Sequence, residues 1–230
     1  MAYIVKNQNS LPQGRFSIRL HGREHTLGAI VQDLSDRYII PANADIIFRG
    51  ADENLDGPGT KIGHIAAVIV LLAFMLNSGH SNEFQMTCDE HSRELNQMAS
   101  ALFDAEGNHK NRNWEEQDQG DLLYIQEVYL EPQWRGYGIG LLAVRGLMSA
   151  LPSFEMDKVI LNPVPSARCQ HDPDCYPSAC SLDASITSLT KYWSLLDFQK
   201  VSQENGVHYM EIWTGRALPE LRAIVPHLFH

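Results

Sequence analysis

Cationic residues are scarce in this chain, with 18 lysines and arginines against 28 acidic residues and a formal net charge of -10. A surface of that sign repels a phosphate backbone, so direct nucleic-acid binding is a poor reading, and a basic small molecule or a lysine-bearing peptide fits the field better. Long apolar runs are lacking too. The longest, IAAVIVLLAFML at residues 65–76, is too short to cross a membrane and rich in Val and Ile. It reads as a strand over residues 64–76 in the middle of a sheet, covered on both faces. The opening MAYIVKNQNS has no apolar leader, so the four cysteines are expected to be reduced thiols in a cytosolic or nuclear compartment.

Two familiar phosphate-binding patterns are missing as well. No G-x-x-x-x-G-K-S/T occurs, which leaves a P-loop nucleotide hydrolase without support. The dinucleotide pattern G-x-G-x-x-G fails because the third glycine of Gly136, Gly138 and Gly140 falls one residue early. Its distal acidic residue also fails, since Asp157 precedes its strand instead of ending one.

What is present suffices for a sizeable core, since 44% of the 230 residues are hydrophobic. FSIRLHG at 16–22 and IIFRG at 46–50 read as strands, and TLGAIVQDLSDRYII between them as a helix or a packed loop. A turn-rich break at 51–63 follows. Residues 88–107 carry Leu95, Met98, Ala99 and Leu102 at helical spacing, and 108–120 is a polar loop. LLYIQEVYL is then a strand, EPQWRGYGIG a turn, LLAVRGLMSAL a helix and DKVILNP a second strand, a crossover that favours parallel pairing. A second amphipathic helix with Ile186, Leu189, Trp193 and Leu196 leads into strands DFQKV and HYMEIW. The expectation is a mixed α/β fold with a partly antiparallel central sheet flanked by helices. Residues 1–60 are an N-terminal extension or the first elements of the fold, 61–216 the main domain with an insertion at 163–182, and 217–230 a packed tail.

The segment with chemical content is Arg135, Gly136, Tyr137, Gly138, Ile139, Gly140 and Leu141, between strand and helix. Glycines let the main chain turn tightly and approach a ligand. The first amides of a helix lack internal partners and lie at the positive end of its dipole, where a pyrophosphate can accept from them. Arg135 can add a charge-assisted bond.

The run VYLEPQWRGYGIGLL at 128–142 resembles the acetyl-coenzyme A-binding motif of the GNAT superfamily of N-acetyltransferases, Q/R-x-x-G-x-G/A, here Arg135-x-x-Gly138-x-Gly140. YWSLLDFQKV at 192–201 resembles the family's later helix-to-strand segment, with Asp197 and Phe198 where glycine and phenylalanine are usual. The resemblance implies acetyl-CoA as co-substrate. The strand main chain at Val128, Tyr129 and Leu130 would bind the pantetheine arm, and the amides of Gly136 to Leu141 the pyrophosphate. A primary amine would enter from the opposite side of the cleft and attack directly in a ternary complex.

Acyl transfer to an amine needs a base, because an ammonium group has a pKa of about 10.4, and a stabilised carbonyl oxygen. Glu127 is the base candidate, which period-two alternation sets on one face with Ile125 and Tyr129, away from Val128. A surface glutamate is the plainer alternative. Asp121 and Glu131 flank the strand as solvent-facing carboxylates. Counted back from Asp197, the family's general-acid tyrosine falls on Trp193, whose indole N–H cannot serve as an acid. Tyr192, about 100° around the helix, is then the candidate acid, with ordinary packing as the alternative. Tyr129 and Tyr137 read as secondary, packing aromatics. Those departures keep open a catalytically inactive protein of the same fold, acting as a CoA-binding or interaction module. Cys169, His171, Cys175 and Cys180 have zinc-compatible chemistry, but C-x-H-x3-C-x4-C is not paired-ligand spacing. No metal is therefore assigned, with a disulfide open under oxidising conditions. The chain is read as a monomer or homodimer.

Overall fold

The computed structural model describes residues 14–21, 37–53, 57–110, 120–151, 156–165, 182–204, 207–214 and 219–220. In chain order its elements are β1 (Gly14–Leu20), β2 (Ile39–Pro41), β3 (Ala44–Gly50), β4 (Thr60–Val70), α1 (Leu72–Asn77), α2 (Phe84–His91) and α3 (Arg93–Leu102). There follow β5 (Asp121–Leu130), α4 (Ile139–Ala150), β6 (Met156–Leu161), α5 (Leu182–Ser194), β7 (Gln199–Glu204) and β8 (Val207–Trp213). The strands form one sheet in the order β1-β3-β4-β5-β6-β8-β7, with β2 added along β4. Every pairing is antiparallel except that of β5 with β6. That one parallel pair is joined through α4, the strand-helix-strand crossover expected from the pattern.

Helices cover both faces of the sheet. On one face Ile65, Ala67, Ile69, Leu123 and Ile125 pack against Ile139, Leu141, Val144 and Leu147 of α4 and Trp193 of α5. On the other, Val68, Val70, Leu122 and Tyr124 pack against Phe84 and Cys88 of α2 and Leu95, Met98 and Leu102 of α3. Both faces of the central strands are thus apolar, which is why β4 reads as an almost continuous hydrophobic run.

Several boundaries differ from the sequence reading: β4 begins at Thr60, inside the expected break at 51–63, and two expected elements each divide. The apolar run is not one strand to residue 76, because β4 ends at Val70 and Leu72–Asn77 is helical. Val70 is the last residue of β4 paired with either neighbour, opposite Ile39 and Leu122. Beyond it the Leu71 amide bonds the Tyr38 carbonyl at 2.8 Å, and the Ala73 amide bonds the Asp121 carboxylate at 3.2 Å. Hydropathy cannot register where pairing stops. The expected helix over 88–107 is likewise two helices, broken at Ser92. There the backbone is extended (φ -163°, ψ 154°), and Oγ accepts from the Leu95 amide at 3.1 Å. A serine side chain that satisfies an orphan amide starts a new helix more readily than it continues an old one. Of TLGAIVQDLSDRYII only residues 37–40 are described, and Ile39 and Ile40 belong to strand β2 instead of the expected helix or loop; the rest of that run, residues 166–181 of the insertion and most of the C-terminal tail fall outside the described residues.

Candidate functional site

Strand β5 ends at Leu130, and a single tight turn over Pro132–Trp134 leads into the glycines. Gly136 and Gly138 have φ of 84° and 80°, in the left-handed region where a Cβ is penalised. Gly138 is the cap of α4 and its carbonyl accepts from the Leu141 and Leu142 amides at 3.0 and 3.3 Å. The cap makes no side-chain bond, and no acidic residue stands in the first turn. The amides of Gly138, Ile139 and Gly140 therefore sit at a positive helix end with nothing anionic of the chain's own in that turn. Ile139 and Leu141 are buried in the core, as are Tyr137 and Trp134, which anchor the turn from below. Trp134 packs on Phe48 with ring centroids 4.7 Å apart.

Arg135 stands at the end of the turn that joins β5 to the glycines. Its Nε donates to the Leu130 carbonyl at 2.6 Å, and its guanidinium carbon lies 5.3 Å from the centre of the Tyr129 ring. It braces the turn against the end of β5.

From the other side the turn is met by α5. The Tyr192 hydroxyl accepts from the Leu141 amide at 3.2 Å, and a Cβ on Gly140 would come within 2.8 Å of that oxygen. Close approach of this phenol is what a glycine at 140 permits. Trp193 points into the core, 7% exposed and edge-on to Phe198. Asp197, in the turn after α5, has φ 72°, so the position where the resembled family has glycine does require a left-handed residue.

The second half of β5 holds the polar groups. Pairing of β5 with β6 stops at Ile125 and Leu161, whereas β5 runs on to Leu130 beside β4. The register with β4 skips Gln126, with Ile125 opposite Ala67 and Glu127 opposite Ala66. Directly opposed residues share a face, so this bulge turns Glu127 away from Ile125. The expected grouping is corrected to this extent: Glu127 shares its face with Tyr129 and lies opposite Val128, but Ile125 points into the α4 side. A bulge inverts the period-two count, and nothing in the run YIQEVY marks it.

On that face Glu127 meets a residue the sequence reading did not select. His64 Nε2 lies 3.0 Å from Glu127 Oε2, with the two side chains 20% and 23% exposed. The imidazole stacks on Tyr129, ring centroids 5.4 Å apart and planes at 29°. Opposite His64 on β3 is Asp45, which binds Lys61 Nζ at 2.5 Å and His21 Nε2 at 3.0 Å. Burial works to raise the Asp45 carboxyl, but those two partners outweigh it and hold it below its ordinary value. His64 was invisible because GHIAAVIV reads as strand whatever its histidine faces; only the β4–β5 register brings it to Glu127.

Cys169, His171, Cys175 and Cys180 lie outside the described residues. Among the described residues no cluster of three or more metal-ligating side chains exists, and Cys88, on the buried face of α2, is a free thiol.

The solved structures this chain resembles are GNAT acetyltransferases. One is the apo form of an agmatine N-acetyltransferase variant, at 9% identity and a TM-score of 0.42, covering 74% of this chain and 75% of that one. Another is NAA60 of Arabidopsis thaliana in complex with acetyl-CoA, at 13% identity and a TM-score of 0.39, covering 88% and 100%. The same protein with a bisubstrate analogue gives 12% and 0.38, covering 76% and 77%. No family model matches the chain, and no curated protein matches it.

Proposed function

We propose that this protein is an acyl-CoA-dependent N-acetyltransferase that moves an acetyl group from acetyl-CoA to a primary amine by direct attack. The supporting observation is the pair of left-handed glycines, Gly136 and Gly138, that opens the positive end of α4 beside the half of β5 that β6 leaves unpaired. A diphosphate suits that helix end, where orphan amides and dipole act together. The residues present fit the co-substrate: glycine main chain at the helix end, Val128 to Leu130 along the strand, and Arg135 bracing the junction. Leu141 is less suited than its neighbours, because its amide is already engaged by Tyr192 and Gly138.

Attack on the thioester requires a neutral amine and a departing thiolate. Glu127, on the face away from α4, is suited to the proton-accepting end, and the Tyr192 phenol to the proton-donating end. Holding the two reactants side by side supplies much of the remaining rate. Titrating acetyl-CoA into the protein by calorimetry tests the reading. Binding that weakens in Gly138→Ala is expected, and no heat at millimolar ligand would end it.

A non-catalytic CoA-binding module is the second reading, favoured by the buried Trp193 and by the Tyr192 hydroxyl being committed to an amide of the helix. A thiol-release assay across polyamines, aminoglycosides and lysine peptides separates the two: saturable binding without release of thiol on any amine favours the module.

A further inference from the structure

We infer that His64 is a catalytic residue, the terminal proton acceptor of the site, with Glu127 as the carboxylate that positions it; this rests on the acetyl-transfer reading above. The geometry assigns the roles. At 3.0 Å the Glu127 carboxylate accepts from His64 Nε2, which places the ring proton on Nε2 and the lone pair on Nδ1. Nδ1 has no hydrogen-bond partner among the described residues. The ring is held on two sides, by the carboxylate at its tip and by the Tyr129 stack on its flank. A partly buried, oriented imidazole backed by a carboxylate is the arrangement that lets a histidine take a proton and keep the resulting cation stabilised.

The chemistry also favours the histidine over the glutamate. A base works best when its pKa lies near the working pH, and an ordinary imidazole at about 6.5 is closer to that than a carboxylate at about 4.3. The acceptor arrives as R–NH3+. One proton passes from its nitrogen to Nδ1 of His64, giving an imidazolium paired with Glu127. The freed nitrogen lone pair then forms the C–N bond to the acetyl carbon, and the C–S bond breaks with its electron pair leaving on sulfur. The second N–H proton ends on the thiol. The imidazolium returns its proton to solvent, so one thioester and one ammonium ion give one amide, one thiol and one proton.

Among the described residues, charged and titratable groups meet His64 from β5 and from β3. Glu127 and Tyr129 face it from β5. Asp45 faces it from β3, carrying Lys61 and His21, and Arg135 lies on the Tyr129 ring.

The test is the pH dependence of kcat/KM for thiol release, measured on the full chain with the best amine of the panel. His64→Ala and His64→Gln are each expected to lose about 100-fold at pH 7.5 with little change in KM for acetyl-CoA. The acid limb of the wild-type profile should vanish in both, and added imidazole should restore part of the His64→Ala rate. Glu127→Gln should lose less and shift the acid limb instead of removing it. Retention of the acid limb in a folded His64→Gln protein, or complete loss of activity in Glu127→Gln with His64→Gln near wild type, overturns the assignment and leaves the acetyl-transfer reading standing. A wild-type protein that neither binds acetyl-CoA nor releases thiol overturns both.

Discussion

At the scale of single residues, Tyr192 and Cys88 show how position, not residue type, sets reactivity. The Tyr192 phenol touches the first turn of α4 and stands where a proton could be handed toward a ligand seated there. Tyr192→Phe removes one oxygen and is expected to lower kcat about 100-fold while costing about 1 kcal/mol of stability. A variant with unchanged kcat would reduce the hydroxyl to a cap on the Leu141 amide. Cys88, on the inward face of α2, is fully buried, and burial pushes its thiol up to about 12, since the thiolate loses its hydration there. At neutral pH it is therefore a small apolar side chain. Labelling with a thiol reagent at pH 7.5 should count as many fast-reacting groups in Cys88→Ser as in the parent protein, and one fewer would contradict its burial.

Elements are decided by their ends. Helix α5 closes with the Leu196 and Asp197 amides bonded to the Trp193 and Ser194 carbonyls, and the chain reverses through Asp197 at φ 72°. A residue with a Cβ is strained there by about 1 kcal/mol, less for aspartate than for most. Glycine removes the strain but makes the unfolded chain more flexible. Asp197→Gly should thus gain only about 0.5 kcal/mol in a urea titration, and Asp197→Val should lose stability; a loss in the glycine variant would mean that the carboxylate has a role of its own. The same logic explains which element boundaries could be read. Gly136 and Gly138 announce the start of α4 because glycine adopts their left-handed backbone without the strain that a Cβ brings. Ser92 could have announced the start of α3, with Glu94 in its first turn, but Leu95, Met98 and Leu102 continue a periodicity that masks the break.

Over the whole molecule, the two faces of the sheet divide the labour. The α4 and α5 side carries the turn and Tyr192, and the other side carries Glu127, His64 and Asp45, with the open stretch of β5 between them. Electrostatics on the second side also ties β1, β3 and β4 together, through His21, Asp45 and Lys61. Because the folded carboxyl of Asp45 sits below its ordinary 3.8, its stabilising contribution is complete above that pH and disappears as pH falls through the folded value. Asp45→Asn should accordingly lose stability at pH 7 and less at pH 3, read from thermal midpoints at the two pH values; an equal loss at both would remove the charge from the account. Sequence alone determined the mixed α/β class, the parallel crossover and the turn from Arg135 to Gly140, because periodicity and glycine backbone freedom are local properties. It also singled out Glu127 on the strand and Tyr192 on the later helix. Tertiary structure alone decided what they touch: the skipped Gln126 turned Glu127 to the face of His64, a partner 63 positions away in the chain, and the packing of α5 on α4 set the Tyr192 hydroxyl over Gly140. Register and helix packing join residues that no local pattern connects, which is why Glu127 could be nominated from the sequence and His64 could not.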